Sequence, residues 1–317
     1  MRALVTGCAG FIGSQLSEAL LHDGEEVIGV DCFNDNYGRR GKLRNLERAQ
    51  QWDSFDFLPI DLSRGHLEDL VAEADVVYHL AAEPGVRASW GTRFESYVRN
   101  NVIATQHLLE AMRSQPGTRL VYASSSSVYG DAEVFPTPET AVPQPRSPYG
   151  ATKLAAEHLC HLYHANFGVP TVALRLFTVY GPRQRPDMAF TRFCNAALTG
   201  SAISVYGDGT QTRDFTYVED VTTAMRQAAS SDCAVGQTYN LGGGAQVSLL
   251  TVFEMLERLA GRPLDLRFQE SQHGDVRDTA ADTTKARSEI GFAPATTFED
   301  GFAKQFEWAA STVLATG

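Results

Sequence analysis

Two residues on one helical face offer the most specific chemistry in the sequence. Tyr149 and Lys153 stand four apart within Ser147-Pro148-Tyr149-Gly150-Ala151-Thr152-Lys153, so a helix brings a phenol and an ammonium to the same side. The ammonium is expected to favour the phenolate and to lower a pKa that begins near ~10. A tyrosine tuned in that way exchanges protons with a substrate hydroxyl near neutral pH. Taken alone, the pair also fits an ordinary surface helix. Nearby in kind is the hydroxyl run Ser124-Ser125-Ser126-Ser127, followed by Val128-Tyr129-Gly130.

A second constellation, Gly7-Cys8-Ala9-Gly10-Phe11-Ile12-Gly13, sits between a strand-like run and a helical pattern. Glycines let the backbone turn sharply against a pyrophosphate, and free N–H groups at a helix start face the anion. The spacing departs from the Gly-x-Gly-x-x-Gly fingerprint, so a plain tight turn stays open as an alternative. Asp31 closes the next strand. A carboxylate there accepts ribose hydroxyls and repels a 2′-phosphate, which favours NAD over NADP. Arg39 and Arg40 lie close by and pull the other way. Asp61, after a third strand, is an adenine contact or a simple loop acid.

These residues need elements to position them. Strands are expected over 3–6, 27–30, 55–60, 76–80, 120–123 and 172–176, alternating with helices such as 11–21, 96–112 and 149–166. Such alternation predicts an α/β fold, a Rossmann-type doubly wound parallel sheet with helices on both faces. Ser147 and Pro148 suit the start of the 149–166 helix, and Gly168 with Pro170 its end. Beyond 177 the pattern loosens, which suggests a smaller C-terminal α/β substrate lobe. The expected division is 1–176 for the cofactor domain and 177–317 for that lobe, part of 212–240 returning to the first. The prolines from Pro136 to Pro148 are read as an active-site loop.

Composition narrows the partners. With 27 Lys+Arg against 38 Asp+Glu and a net charge of −11, a nucleic-acid backbone or anionic membrane is disfavoured. Five scattered cysteines without Cys-x-x-Cys argue against a disulfide framework or zinc site. The N-terminus enters the glycine turn too soon for a signal peptide, and no run approaches the ~20 apolar residues of a membrane span. A cytoplasmic protein is expected. His158, His161 and His164 share a helical face but are not read as metal ligands.

Taken together, Thr6 to Ser14, His79-Leu80-Ala81-Ala82, Ser125 with Tyr129-Gly130, Tyr149 with Lys153, and Tyr206 to Phe215 resemble the extended short-chain dehydrogenase/reductase family of nucleotide-sugar epimerases, dehydratases and decarboxylases. The resemblance implies Ser125, Tyr149 and Lys153 as the catalytic set and NAD as the cofactor. It places Gly7, Gly10, Phe11, Ile12, Gly13, Asp31, Asn34, Asp61, Leu62, Leu80, Ala81, Ala82, Asn101, Tyr149, Lys153 and Phe177 around that cofactor. Family dehydratases carry Asp-Glu where Ser126-Ser127 stand, and the decarboxylases carry Glu at the second position. Epimerisation is what remains. The segments Ala82 to Trp90 and Phe177 to Met188 are similar to those of UDP-glucuronate 4-epimerases, with Thr178 where neutral-sugar enzymes usually have Asn.

A sugar carboxylate needs a charge-assisted partner, and arginine offers a two-pronged one. Arg185 is the candidate, helped by Thr178, Ser125 and Ser126; a loop salt bridge is its alternative role. For the rest of a UDP-sugar acid the resemblance implies Arg87, Tyr149, Arg192, Val205, Tyr206, Arg213 and Arg277 as candidates by family position. Glu83 departs from the uncharged residue expected after Ala81-Ala82 and has no assigned role. Competing readings are a UDP-glucose/UDP-galactose-type 4-epimerase, a UDP-glucuronate decarboxylase and an NAD-sensing scaffold. Helices 96–112 and 149–166 are expected to pair in a homodimer, as in family dimers.

Overall fold

The computed structural model describes residues 1–34, 38–244, 246–270 and 278–314. Among them are twelve strands: β1 (Arg2–Thr6), β2 (Glu26–Val30), β3 (Phe55–Leu58), β4 (Val76–His79), β5 (Arg119–Ser125), β6 (Thr171–Leu176), β7 (Thr178–Tyr180), β8 (Ile203–Tyr206), β9 (Thr212–Tyr217), β10 (Thr238–Leu241), β11 (Gln246–Ser248) and β12 (Leu266–Gln269). Seven pair in parallel, in the order β10-β6-β5-β4-β1-β2-β3. This is a Rossmann-type α/β sheet, extended by one strand beyond β6. Smaller sheets, β11-β9-β7 and β12-β8, build the C-terminal part of the molecule.

The sheet is buried on both faces because its strands are apolar at successive positions. Ala3, Val5, Val27 and Val121 point into one layer, and Leu4, Ile28, Leu120 and Tyr122 into the other, as the two-residue period of a strand requires. The first layer continues without a break into the aromatic centre of the C-terminal part, where Phe190, Phe215, Phe298 and Phe302 pack together. One hydrophobic core therefore joins the two parts.

Local chemistry sets the element that matters most. The helix Pro148–Phe167 begins at Ser147, whose side chain accepts from Gly150 N, and stops at Gly168 in the left-handed region, as its flanking residues predict.

Three expectations are corrected. The strand expected over 55–60 stops at Leu58, because Pro59 has no N–H to continue the ladder. The helix expected over 96–112 is interrupted by a π-helical turn, Val98–Ile103, between Phe94–Tyr97 and Ala104–Met112. The segment after Pro136 is not a wall of the active cleft. Its polar groups are spent on the C-terminal side instead: Thr137 exchanges backbone bonds with Ala280 and Asp282, and Glu139 accepts from Asn240 N at 2.9 Å.

Candidate active site

Strand order reverses between β1 and β4, and a cleft opens beyond their carboxyl ends, where such sheets bind ligands. Gly7 has φ +73°, and a Cβ there would stand 2.9 Å from Ala81 N; a Cβ on Gly13 would stand 2.2 Å from Gly7 O. Only glycine allows this close packing of turn, loop and helix. The turn is pinned by Gly7 N donating to Val30 O at 2.7 Å. It presents the start of the helix Phe11–His22, a fitting seat for a pyrophosphate.

At the end of β2, buried Asp31 accepts from Phe33 N at 2.8 Å and from Lys42 Nζ at 3.0 Å. Lys42 is itself buried and also donates to Asn34 Oδ1 at 2.8 Å. The cation paired with Asp31 is thus Lys42, while Arg39 lies over the Phe33 ring at 5.2 Å. Sequence reasoning passed over Lys42; its only signal was a basic residue one helical turn beyond Arg39. Asp61 accepts from Ser63 N and Oγ and from Arg64. Burial opposes its charge, but these donors hold the carboxyl below the usual carboxylate range.

One cleft of about 420 Å³ gathers most of the expected residues. Gly7, Gly10, Phe11, Ile12, Gly13, Asp31, Asn34, Asp61, Leu62, Leu80, Ala81 and Ala82 line it together with Ser125, Ser126, Tyr149, Lys153, Phe177, Thr178 and Arg185. Lys42, Cys32, Pro84, Gly85, Asn100 and Met188 also line it and were not foreseen at the site. Asn101, expected at the cofactor, is absent from the wall. It is a buried brace whose amide bonds Glu83 N at 2.6 Å, Glu83 O at 3.1 Å and Thr152 Oγ1 at 3.0 Å. Its neighbour Asn100, on the same π-helical turn, lines the wall instead.

The expected nucleotide contacts stand apart from this wall. Arg87, in the loop after β4, lies with its guanidinium 4.5 Å from the centre of the Tyr206 ring at the end of β8. Val205 is buried within β8, so only its backbone can meet a ligand. Arg192 is exposed on the helix Ala189–Thr199. Arg213, on β9, donates to Thr212 O at 2.8 Å. Arg277 lies outside the described residues.

In the same cleft, Tyr149 and Ser125 share the wall, and the Ser125 hydroxyl favours the phenolate. Beneath it, Tyr97 meets it edge-on at 6.3 Å and donates to Pro84 O at 2.8 Å, fixing the loop that borders the cleft. Lys153 is buried, its ammonium 4.4 Å from the Tyr122 ring centre. The expectation that Lys153 lowers the Tyr149 phenol is corrected. Burial raises the phenol, and what opposes the rise is the Ser125 hydrogen bond and the Arg185 charge. Lys153 is itself pushed down to about 7 by burial, against the pull of Cys160 and Glu157. Its positive charge is therefore held only up to about neutral pH.

Arg185 both lines the cleft and forms a two-pronged ion pair with Asp187, Nε to Oδ1 and Nη2 to Oδ2, each at 2.9 Å. The carboxylate fixes the plane of the guanidinium. The two readings of Arg185 are therefore compatible.

Comparison with known proteins fits this geometry. Residues 4–305 match the family described as GDP-mannose 4,6 dehydratase. The chain belongs to the extended short-chain dehydrogenase/reductase family. Within the family it is 42% identical to a Bacillus subtilis protein described as an uncharacterized UDP-glucose epimerase, over 98% of each chain. It is 37% identical to a UDP-glucuronate 4-epimerase of Thermodesulfobacterium geofontis, over 98% of this chain and 96% of that one. Its fold superposes with a TM-score of 0.95 on the Bacillus cereus UDP-glucuronic acid 4-epimerase solved with UDP-glucuronic acid and NAD, 42% identical and covering 98% and 100% of the two chains. No helix among the described residues of this family member is long and apolar enough to cross a membrane.

Proposed function

We propose that this NAD-dependent UDP-sugar 4-epimerase interconverts UDP-glucuronate and UDP-galacturonate. The observation that carries the acid specificity is Arg185: its guanidinium lines the same cleft as Tyr149 and acts electrostatically on that phenol. A sugar poised over Tyr149 would therefore have a planar cation within reach, with Thr178, Ser125 and Ser126 on the same wall. Ser126 and Ser127 stand where elimination or decarboxylation would call for carboxylates.

The glycine turn would cradle the pyrophosphate of NAD and Asp31 its adenosine ribose. When bound, NAD supplies a hydride acceptor at C4 and then a hydride donor to the opposite face of the ring. The protein's residues handle the proton. Tyr149 takes it from the C4 hydroxyl and returns it after the 4-keto sugar has swung about its diphosphate link, with Ser125 sharing the hydrogen bond and Lys153 supplying positive charge. Arg87, Arg192, Tyr206, Arg213 and Arg277 are the candidates for holding the nucleotide during that swing. A homodimer through the helices ending at Met112 and Phe167 belongs to the same reading.

The B. subtilis relative described as a UDP-glucose epimerase favours a second reading, a neutral hexose substrate. Incubating the purified protein with UDP-glucuronate and resolving the products separates the possibilities. UDP-galacturonate is expected; UDP-pentose would mean decarboxylation, and an untouched substrate with turnover of UDP-glucose would establish the second reading.

A further inference from the structure

The helix Pro148–Phe167 carries a further charged residue in line with Tyr149 and Lys153. Glu157 lies one turn beyond Lys153 and is only 1% exposed. Its carboxylate has partners on two different strands. Ser124 on β5 donates to Oε2 at 2.6 Å, and Arg175 on β6 donates to Oε1 through Nη2, also at 2.6 Å. Arg175 in turn donates through Nη1 to Tyr129 Oη at 2.7 Å, and Tyr129 donates to Asn240 Oδ1 on β10 at 2.7 Å.

Burying two charges carries a desolvation cost that apolar residues of the same volume would not. The pair's surroundings suggest what it does in return. Ser124 immediately precedes Ser125, and Lys153 is the next charged residue back along the helix. The other titratable groups packed around the pair are Cys160 and His161 on the helix, Tyr122 on β5, His79 on β4, and Tyr129 and Glu139 after β5. His79 is held neutral by burial, with a pKa near 3, and burial raises the Cys160 thiol. Burial also works against ionisation of Glu157, but Arg175 and Ser124 outweigh it. Glu157 thus stays ionised one helical turn from Lys153, and its charge, like Cys160, favours the ammonium.

We propose that Glu157, clamped by Arg175 and Ser124, is a positioning residue of the epimerase: it locks the end of β5 that carries Ser125 to the helix that carries Tyr149 and Lys153. This rests on Tyr149 and Lys153 acting at the substrate hydroxyl. Replacing the carboxylate by an amide loosens that clamp and removes an anion one helical turn from Lys153, so the ammonium loses its proton at lower pH.

The test is the pH profile of kcat in the intact enzyme. Glu157→Gln is expected to lower kcat at pH 8 by at least about tenfold while KM moves less than about threefold, with a smaller loss at pH 6. Glu157→Asp should recover part of the alkaline activity. If Glu157→Gln fails to fold, the paired Glu157→Gln/Arg175→Met variant carries the test, because it leaves no unpaired buried charge. That variant should melt near the parent temperature yet keep the acid-shifted profile. A parental profile in either folded variant overturns the inference. Tyr149→Phe, run alongside, separates the failures: full activity there sinks the catalytic reading, whereas an inactive Tyr149→Phe beside a parental Glu157→Gln profile sinks only this inference.

Discussion

Arg185 and Tyr149 are linked by charge as well as by place. The guanidinium opposes the rise that burial imposes on the phenol, so under the proposed function one side chain would both hold the sugar carboxylate and favour the phenolate. Oxidising such a sugar at C4 creates a β-keto acid, which loses CO₂ as charge flows from carboxylate to enolate. A fixed arginine stabilises the carboxylate more than the departing neutral CO₂ and so raises that barrier. Arg185→Ala is therefore expected to cut kcat/KM for UDP-glucuronate by about 10² to 10³ and to release a UDP-4-keto-pentose, measurable by chromatography with mass detection. The sign of the pH effect also follows. Removing the cation raises the phenol, so the acidic limb of the profile moves to higher pH. Tyr149→Phe should lower kcat by about 10² or more in a coupled turnover assay while leaving the fold intact by circular dichroism.

At the scale of elements, the glycine turn and the long helix dominate. Gly13→Ala would drive a Cβ to 2.2 Å from Gly7 O; the turn must shift, and the variant is expected to lose NAD on dialysis that the parent retains, read by released nucleotide absorbance. These two elements were legible in the sequence because their signals are local: glycines where φ is positive, a serine cap, a proline at the first turn. Residues whose place depends on tertiary packing were not. Asn100 and Asn101 are adjacent and alike in type, and only their facing in the folded helix separates the one that lines the cleft from the one that braces Glu83 and Thr152. Lys42 reads as one of several basic residues until the fold buries it against Asp31. Glu83 had no assigned role, yet it accepts from Arg93 at 3.0 Å and from the amides of Asn34 and Asn100. The Pro136 segment looked like an active-site loop because prolines mark a rigid connection without saying which side it packs on.

For the molecule as a whole, a buried lysine couples the active site to stability. Lys153 has a folded-state pKa near 7 against an ordinary value of 10.5, so between those values the unfolded chain binds more protons than the native one. Its contribution to stability is thus lowest below about pH 7 and grows as pH rises toward the unfolded value, with a slope of at most about 1.4 kcal/mol per pH unit. Buried tyrosines and cysteines with raised pKa values act in the opposite direction above their own unfolded values. The comparison that isolates the lysine is therefore parent against Lys153→Met in denaturant melts from pH 6.5 to 9. The parent should gain stability relative to the variant as pH rises, and parallel curves would place Lys153 outside the buried environment described.

The proposed acid specificity is tested most directly by competition. Given equal concentrations of UDP-glucuronate and UDP-glucose, the purified enzyme should form UDP-galacturonate at least about tenfold faster than UDP-galactose. UDP-galactose accumulating while UDP-glucuronate persists would contradict the assignment of Arg185 to a sugar carboxylate.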